Sequence, residues 1–102
     1  MEDTGKVMAA DTAATSTIVV DGHEFTINNK RLRSWVAFNH LRNIRSKDTD
    51  DYDRIAYMMQ LVEYITGRSE DDLVKMCGDE DAALIDVINL VNKLIVAAYP
   101  KN

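Results

Sequence analysis

One group of closely spaced carboxylates is the first feature of this chain that could do chemistry. It consists of Asp48, Asp50, Asp51 and Asp53, a spacing that suggests an EF-hand calcium loop. That loop requires glycine at its sixth position and glutamate at its twelfth, which here are Asp53 and Met59. The pattern therefore argues against an EF-hand, and the acids are better explained as helix-capping and solubilising groups.

Metal ligation and nucleophilic catalysis have few candidate side chains. The two imidazoles belong to His23 and His40, and neither lies in a Cys/His spacing typical of zinc. The single thiol, Cys77, falls where an apolar helical side chain is expected, which predicts a buried structural thiol rather than a nucleophile. The chain also lacks a glycine-rich phosphate loop, a nucleophile elbow and a dinucleotide fingerprint. The sequence therefore predicts a protein that is not an enzyme and has no metal site and no cofactor.

A basic segment with interleaved aromatic side chains is the best candidate for a contact surface. Residues 30–47 hold half of the lysines and arginines of the chain, together with Trp35 and Phe38. Such segments can bind nucleic acid, but the whole protein carries a net charge of -5, which disfavours that partner. The aromatic spacing favours a buried helix face, although whether Trp35 belongs to the core or to an interface stays open. The candidate protein-binding or assembly residues are Arg31, Arg33, Trp35, Phe38, Arg42 and Arg45.

Charge is distributed unevenly along the chain. Residues 1–47 carry seven Lys/Arg and five Asp/Glu, a net charge of +2. Residues 48–102 carry five Lys/Arg and twelve Asp/Glu, a net charge of -7. This division suits either self-complementary assembly into a homo-oligomer or a basic face that meets a partner. Charged residues scattered over a solvated surface would explain the same two net charges.

Size and composition limit the class of the protein. The 102 residues suffice for one domain, and 46% apolar with 28% charged residues is ordinary for a globular chain. A single cysteine fits a reducing compartment, and no apolar run approaches the ~20 residues that a membrane span requires. The first residues also lack the apolar stretch of a signal peptide. These features predict a soluble, cytoplasmic protein without membrane contact.

The elements expected to position the basic segment are a β-hairpin and a helix. Two β-rich runs flank Asp21-Gly22, the signal of a two-residue type I′ turn. Phe25 and Ile27 share one face of the second strand and are expected to pack on the next helix through Leu32 and Trp35. That helix is predicted to be continuous from residue 30 to about residue 44, because apolar residues recur without a breaker.

Three further helices are predicted downstream. The first of them begins after a cap at Thr49 or Asp50 and ends before Gly67. A short helix follows Ser69, which forms a capping box with an acid three residues later. The last helix is expected to open at Asp79-Glu80-Asp81, and it carries an apolar stripe of 3.6-residue period over residues 84–98. The methionines of the middle helices suit either core packing, which is favoured, or an adaptable binding surface.

This order predicts an α+β fold in which an N-terminal β-hairpin packs on a small bundle of three to four helices. The predicted organisation is a flexible leader over residues 1–16, one α+β domain over residues 17–99 and a C-terminal tail over residues 100–102.

The same motifs form a series along the chain. It runs from Val20-Asp21-Gly22-His23-Glu24-Phe25-Thr26-Ile27 to Lys30-Arg31-Leu32-Arg33-Ser34-Trp35, an Asp-rich helix start, Ile65-Thr66-Gly67, Ser69-Glu70-Asp71-Asp72-Leu73 and a final amphipathic helix. Over roughly residues 17–99 this series resembles the small tail assembly chaperones of long-tailed bacteriophages and prophages. The basic-Ser-Trp stretch after the hairpin is the most specific part of the resemblance.

The resemblance implies a function that composition does not show. Such chaperones act in the host bacterial cytoplasm, where they bind the tape measure protein of the growing tail and keep its helices soluble. They also help to recruit tail tube protein, and they have no catalytic residues or cofactors. A broad apolar or Met-lined groove would suit repeated, weak binding of apolar helices. The alternative function is that of a small nucleic-acid-binding regulator that uses the basic first helix.

Overall fold

The computed structural model describes residues 14–100, which form an antiparallel hairpin followed by helices. In chain order the elements are β1 (Thr15–Val20), β2 (His23–Asn28), α1 (Asn29–Leu32), α2 (Trp35–Arg45), α3 (Asp51–Thr66), α4 (Glu70–Met76), a 3₁₀ turn (Asp79–Asp81) and α5 (Leu84–Ala98). The predicted α+β fold is confirmed. The strand β1 starts two residues before the predicted domain boundary, and residues 1–13 of the predicted leader and 101–102 of the predicted tail lie outside the described residues.

The hairpin has the geometry that its sequence predicts. Both turn residues have positive φ, 52° at Asp21 and 81° at Gly22, as a type I′ turn requires. In the resulting antiparallel register Phe25 lies opposite Ile18 and Ile27 opposite Ser16. Phe25 and Ile27 are buried, while the alternate residues of β2 face solvent, so one face of the hairpin closes the core.

The prediction of a continuous helix over residues 30–44 is wrong, because the helix is interrupted at Arg33 and Ser34. Ser34 has an extended backbone, and its Oγ accepts a hydrogen bond from the Ala37 amide at 3.2 Å. The same hydroxyl donates to the Arg31 carbonyl at 2.7 Å. A serine side chain competes with the backbone for hydrogen bonds in this way, so Ser34 ends α1 and caps α2.

The expected start of the last helix at Asp79–Asp81 is wrong, because these residues form a 3₁₀ turn and α5 begins at Leu84. The ends of α3 and the start of α4 follow their sequence signals. The carboxylate of Asp50 caps α3 by accepting from the Tyr52 amide at 3.3 Å. Gly67 ends α3 in the left-handed conformation, with φ 75°. The Ser69 hydroxyl caps α4 by accepting from the Asp72 amide at 3.3 Å. These caps confirm the predicted boundaries of the middle helices.

The core lies between the hairpin, α3 and α5. Its buried apolar residues are Val20, Phe25, Ile27, Ala37, Met58, Leu61, Val62, Ile65, Leu73, Val87, Leu90, Val91, Leu94 and Ile95. Ala37 is the one member from α2, so this helix lies as an outer layer on α3. Leu84, which the apolar stripe assigned to the core face of α5, is instead 65% exposed because it stands at the first turn, beyond the core.

The favoured placement of Trp35 and Phe38 in the core is also wrong. Trp35 is 68% exposed and Phe38 is 50% exposed. Leu41 and Ile44, which pack against the core, share the inward face of α2 with Ala37 at steps of four and seven residues. A methyl group at Ala37 allows close approach to α3, and the aromatic rings then point outward.

A hydrogen bond from the end of α5 joins the helical layer to α1. The Tyr99 hydroxyl donates to the Leu32 carbonyl at 2.8 Å. Burial raises the pKa of Tyr99 to about 12, with a smaller contribution from Tyr64. The raised pKa shows that this position favours the protonated phenol, which is the form that donates.

The contrast between Phe25 and Trp35 gives a direct test of the core. We expect Phe25→Ala to lower the free energy of unfolding by about 3–5 kcal/mol, because it leaves a cavity. Trp35→Ala should lower it by less than about 1 kcal/mol, because the ring is mostly exposed. Denaturant unfolding followed by circular dichroism measures both changes. Equal losses for the two variants would contradict the described core.

The burial of the Tyr99 phenol predicts a pH dependence of stability. The folded-state pKa of about 12 lies above the ordinary value of 10.0, so stability from this group is present below pH 10 and is lost as pH rises through 12. We expect Tyr99→Phe to be less stable than the parent protein below pH 10, with a difference that shrinks between pH 10 and pH 12. Urea unfolding across this range tests this, with Tyr52→Phe as the control at an exposed ring. Parallel curves for Tyr99→Phe and the parent would refute the linkage.

Candidate protein-binding site

One outward face of α2 carries four of the six candidate residues. Trp35, Phe38, Arg42 and Arg45 follow one another at steps of three, four and three residues, which places them in a single row. All four are exposed. The Trp35 and Phe38 rings lie 5.1 Å apart between centroids at an interplanar angle of 35°. We call this row the α2 stripe.

The other two candidates lie on or beside α1 and do not join the stripe. The guanidinium of Arg31 lies over the Tyr64 ring, 5.0 Å from its centroid. Its Nη1 also donates to the Tyr64 carbonyl at 3.3 Å, so this arginine attaches α1 to α3. Arg33 is exposed at the C-cap of α1, before the Ser34 break. The break therefore separates these two arginines from the stripe.

The C-terminal half of the stripe borders a shallow hollow of about 480 Å³. It is lined by Phe38, Leu41, Arg42, Arg45 and Ser46. Arg42 is oriented by a hydrogen bond of 2.6 Å from its Nη2 to the Asn39 amide oxygen. Exposed aromatic rings beside arginines have the composition of the residues that dominate binding energy at protein interfaces. The stripe therefore has the composition of a candidate contact surface.

Arg54, which the sequence analysis did not single out, holds the C-terminal end of α2, where Arg42 and Arg45 of the stripe lie. Its Nε donates to the Ile44 carbonyl, and its Nη2 donates to the carbonyls of Ser46 and Thr49, each at 2.8 Å. Its Nη1 forms an ion pair of 2.8 Å with Asp51. These bonds satisfy carbonyl groups at the C-terminal end of α2 and tie them to the first turn of α3. The sequence feature that could have indicated this role is the position of Arg54, directly after a run of acidic residues.

A ring contact fixes the middle of α2 on the same side of α3. His40 and Tyr57 meet edge to face with centroids 6.0 Å apart. The His40 Nδ1 lies 2.9 Å from the Val36 carbonyl, within hydrogen-bonding distance. Together with Arg54 and the Arg31–Tyr64 contact, this leaves the stripe as the solvent-facing side of α2.

A second surface, absent from the sequence analysis, lies between α3, α4 and α5. This α3–α5 groove has a volume of about 340 Å³ and is lined by Ile55, Ala56, Met59, Glu70, Val74, Ala82, Leu84, Val87 and Ile88. Met58 is buried, whereas Met59 is half-buried and faces the groove, so the methionine pair serves both the core and a surface.

The remaining candidate chemistry does not converge on a site. Within residues 14–100, no three His, Cys, Asp or Glu side chains gather where they could hold a metal ion. Cys77 is half-buried, and burial raises the pKa of its thiol, with smaller contributions from Asp86 and Asp21. A raised pKa disfavours the reactive thiolate. In the same part of the chain, no helix combines the length and apolar composition needed to cross a bilayer.

Comparison with known proteins adds no relative to this description. No protein family model, no curated protein and no solved structure matches the chain.

The Arg54 contacts predict a specific loss on conservative substitution. Lysine keeps the charge of Arg54 but cannot reach several carbonyls with one planar group, so we expect Arg54→Lys to lower the free energy of unfolding by about 1.5–3 kcal/mol. Amide hydrogen exchange should become faster over residues 46–50. Arg45→Lys, at an exposed position of α2, is the matched control and should change neither quantity. Unchanged exchange in Arg54→Lys would mean that the loop is held by other contacts.

Proposed function

We propose that this chain is a tail assembly chaperone that binds the tape measure protein of a long-tailed bacteriophage through the α2 stripe. The observation that carries the proposal is the exposed, adjacent pair of Trp35 and Phe38 rings. Exposed aromatic clusters on a small protein mark sites of interaction. The motif series of the sequence, whose most specific part ends at Trp35, supports the particular class of partner.

The stripe suits a partner with exposed apolar helices. Its two rings provide a flat apolar contact, while Arg42 and Arg45 provide charged groups that bind carboxylates along the same row. The chain as a whole carries a net charge of -5, which keeps the complex soluble. In this proposal the protein covers apolar helical segments during tail assembly and helps to recruit tail tube protein. It acts by binding, without catalysis or cofactor, in the bacterial cytoplasm.

Nucleic acid is the second candidate partner, and the structure removes one objection to it. The aromatic rings were expected in the core, but they are exposed beside Arg42 and are available for base stacking. The acidic net charge and the carboxylates at the start of α3 still oppose a polyanion. The two partners differ in salt response, because phosphate contacts weaken steeply as salt rises whereas apolar contacts do not.

The test uses the product of the long helical open reading frame that the proposal expects directly downstream of the gene. We expect co-expression with this chain to keep that product soluble. In isothermal titration calorimetry, Trp35→Ala with Phe38→Ala should weaken binding at least about tenfold, because both rings are removed from the interface. The control is Tyr52→Ala, which removes an aromatic ring that is 80% exposed on α3 rather than on the stripe.

Two results would contradict the proposal. One is the absence of a long helical reading frame beside the gene. The other is equal binding by the parent, the double variant and Tyr52→Ala. Retention of a single-stranded oligonucleotide that is lost with rising salt and with the double variant would favour the nucleic-acid function instead.

A further inference from the structure

The α3–α5 groove has the shape and lining of a helix-binding site. Val87 is buried and forms its floor, while Leu84 is 65% exposed and forms part of its wall. Ile55 and Met59 are one turn apart on α3, and Leu84 and Ile88 are one turn apart on α5. Apolar residues at helical spacing on two walls match the apolar stripe of an amphipathic helix.

The chain segment that forms one rim of this groove is strongly acidic. Residues 69–86, which form α4, the 3₁₀ turn and the start of α5, contain seven Asp/Glu and one Lys. Glu70 itself lines the groove, and the three exposed acids of the 3₁₀ turn, Asp79–Asp81, immediately precede the lining residue Ala82. An occupant that brings positive charge beside its apolar stripe is attracted to this rim, and a negative one is repelled.

The groove is separate from the α2 stripe. Tyr57 and Tyr64 of α3 contact α2 and α1, whereas Ile55 and Met59 of the same helix line the groove. Residues two apart on a helix do not face each other, so Ile55 and Tyr57 point to different sides. The two surfaces can therefore be altered independently.

We propose that the α3–α5 groove binds an amphipathic helix of another protein whose apolar stripe is flanked by lysine or arginine. Charge complementarity with the rim selects this occupant. Residues 1–13 of the chain itself carry three acids and one lysine, the wrong sign for the rim. The α2 stripe of a second copy is basic, but it offers two apolar side chains, too few to cover a groove with six large ones. This inference does not rest on the proposed function.

The experiment uses a fluorescent peptide of about 14 residues, roughly four helical turns, with leucine on one face and lysine on the other. Fluorescence anisotropy with the full chain should show saturable binding, and a peptide with glutamate in place of lysine should bind at least about tenfold more weakly. Leu84→Asp should weaken binding of the lysine peptide at least about tenfold, because it places a charge in the apolar wall. Its matched control, Ile85→Asp, alters a neighbour that is 60% exposed and does not line the groove, and should leave binding within about twofold.

Circular dichroism establishes that both aspartate variants fold. Equal weakening by Leu84→Asp and Ile85→Asp, or no weakening by either, would overturn the proposal. Sedimentation of the chain alone tests the other occupant. If the chain self-associates and both Leu84→Asp and Trp35→Ala abolish this, a second copy fills the groove. That result would also overturn the proposal. The Trp35 and Phe38 variants should leave peptide binding unchanged, so this test and that of the proposed function fail separately.

Discussion

The guanidinium of Arg54 is the constraint on which the arrangement of α2 depends. Helix α2 buries Ala37 fully and packs Leu41 and Ile44 only partly against the core, so polar contacts share in fixing its orientation. Arg54 adds to the apolar packing by donating hydrogen bonds to the carbonyls of Ile44, Ser46 and Thr49. Hydrogen bonds from one planar, charged guanidinium to several backbone carbonyls are strong and directional. They therefore fix the end of α2 against the start of α3.

This constraint has a consequence for the surface. With Ala37 against α3 and Ser34 restarting the helix, no element within residues 14–100 covers the Trp35 and Phe38 rings. Leaving two large apolar side chains in water forgoes the stability that their burial would supply, about 1.5–3 kcal/mol for a side chain of this kind. Such an arrangement is consistent with a surface kept for a partner, which is why the stripe carries the proposed function.

The division of charge along the sequence corresponds to two places on the molecule. Arg42 and Arg45 of the basic half stand on the α2 stripe, whereas Glu70 of the acidic half lines the α3–α5 groove and Asp79–Asp81 directly precede its lining residue Ala82. Helix α3 separates these surfaces, because it packs on α2 with one side and lines the groove with another. Its core face, meanwhile, buries Met58, Leu61, Val62 and Ile65. One helix therefore supports the core and both candidate binding surfaces.

Local signals in the sequence determined the hairpin, its turn at Asp21-Gly22 and the caps at Asp50, Gly67 and Ser69. Each of these depends on the conformational or hydrogen-bonding preference of a residue and its near neighbours, so it can be read without knowledge of the rest of the chain. The α+β class and the burial of Phe25 and Ile27 followed from the same patterns. Six candidate contact residues were also identified, of which four share the stripe.

Only the tertiary structure decided which apolar residues are covered. Trp35, Phe38 and Leu84 have the spacing of core residues, but spacing describes one helix and carries no information on whether another element lies opposite each face. The Ser34 break, the close approach of Ala37 to α3 and the hydrogen bonds of Arg54 across a loop determine how α2 lies on α3. They therefore determine which side chains of α2 are covered. The groove has the same origin, since its walls come from helices far apart in sequence that meet only when α5 packs beside α3.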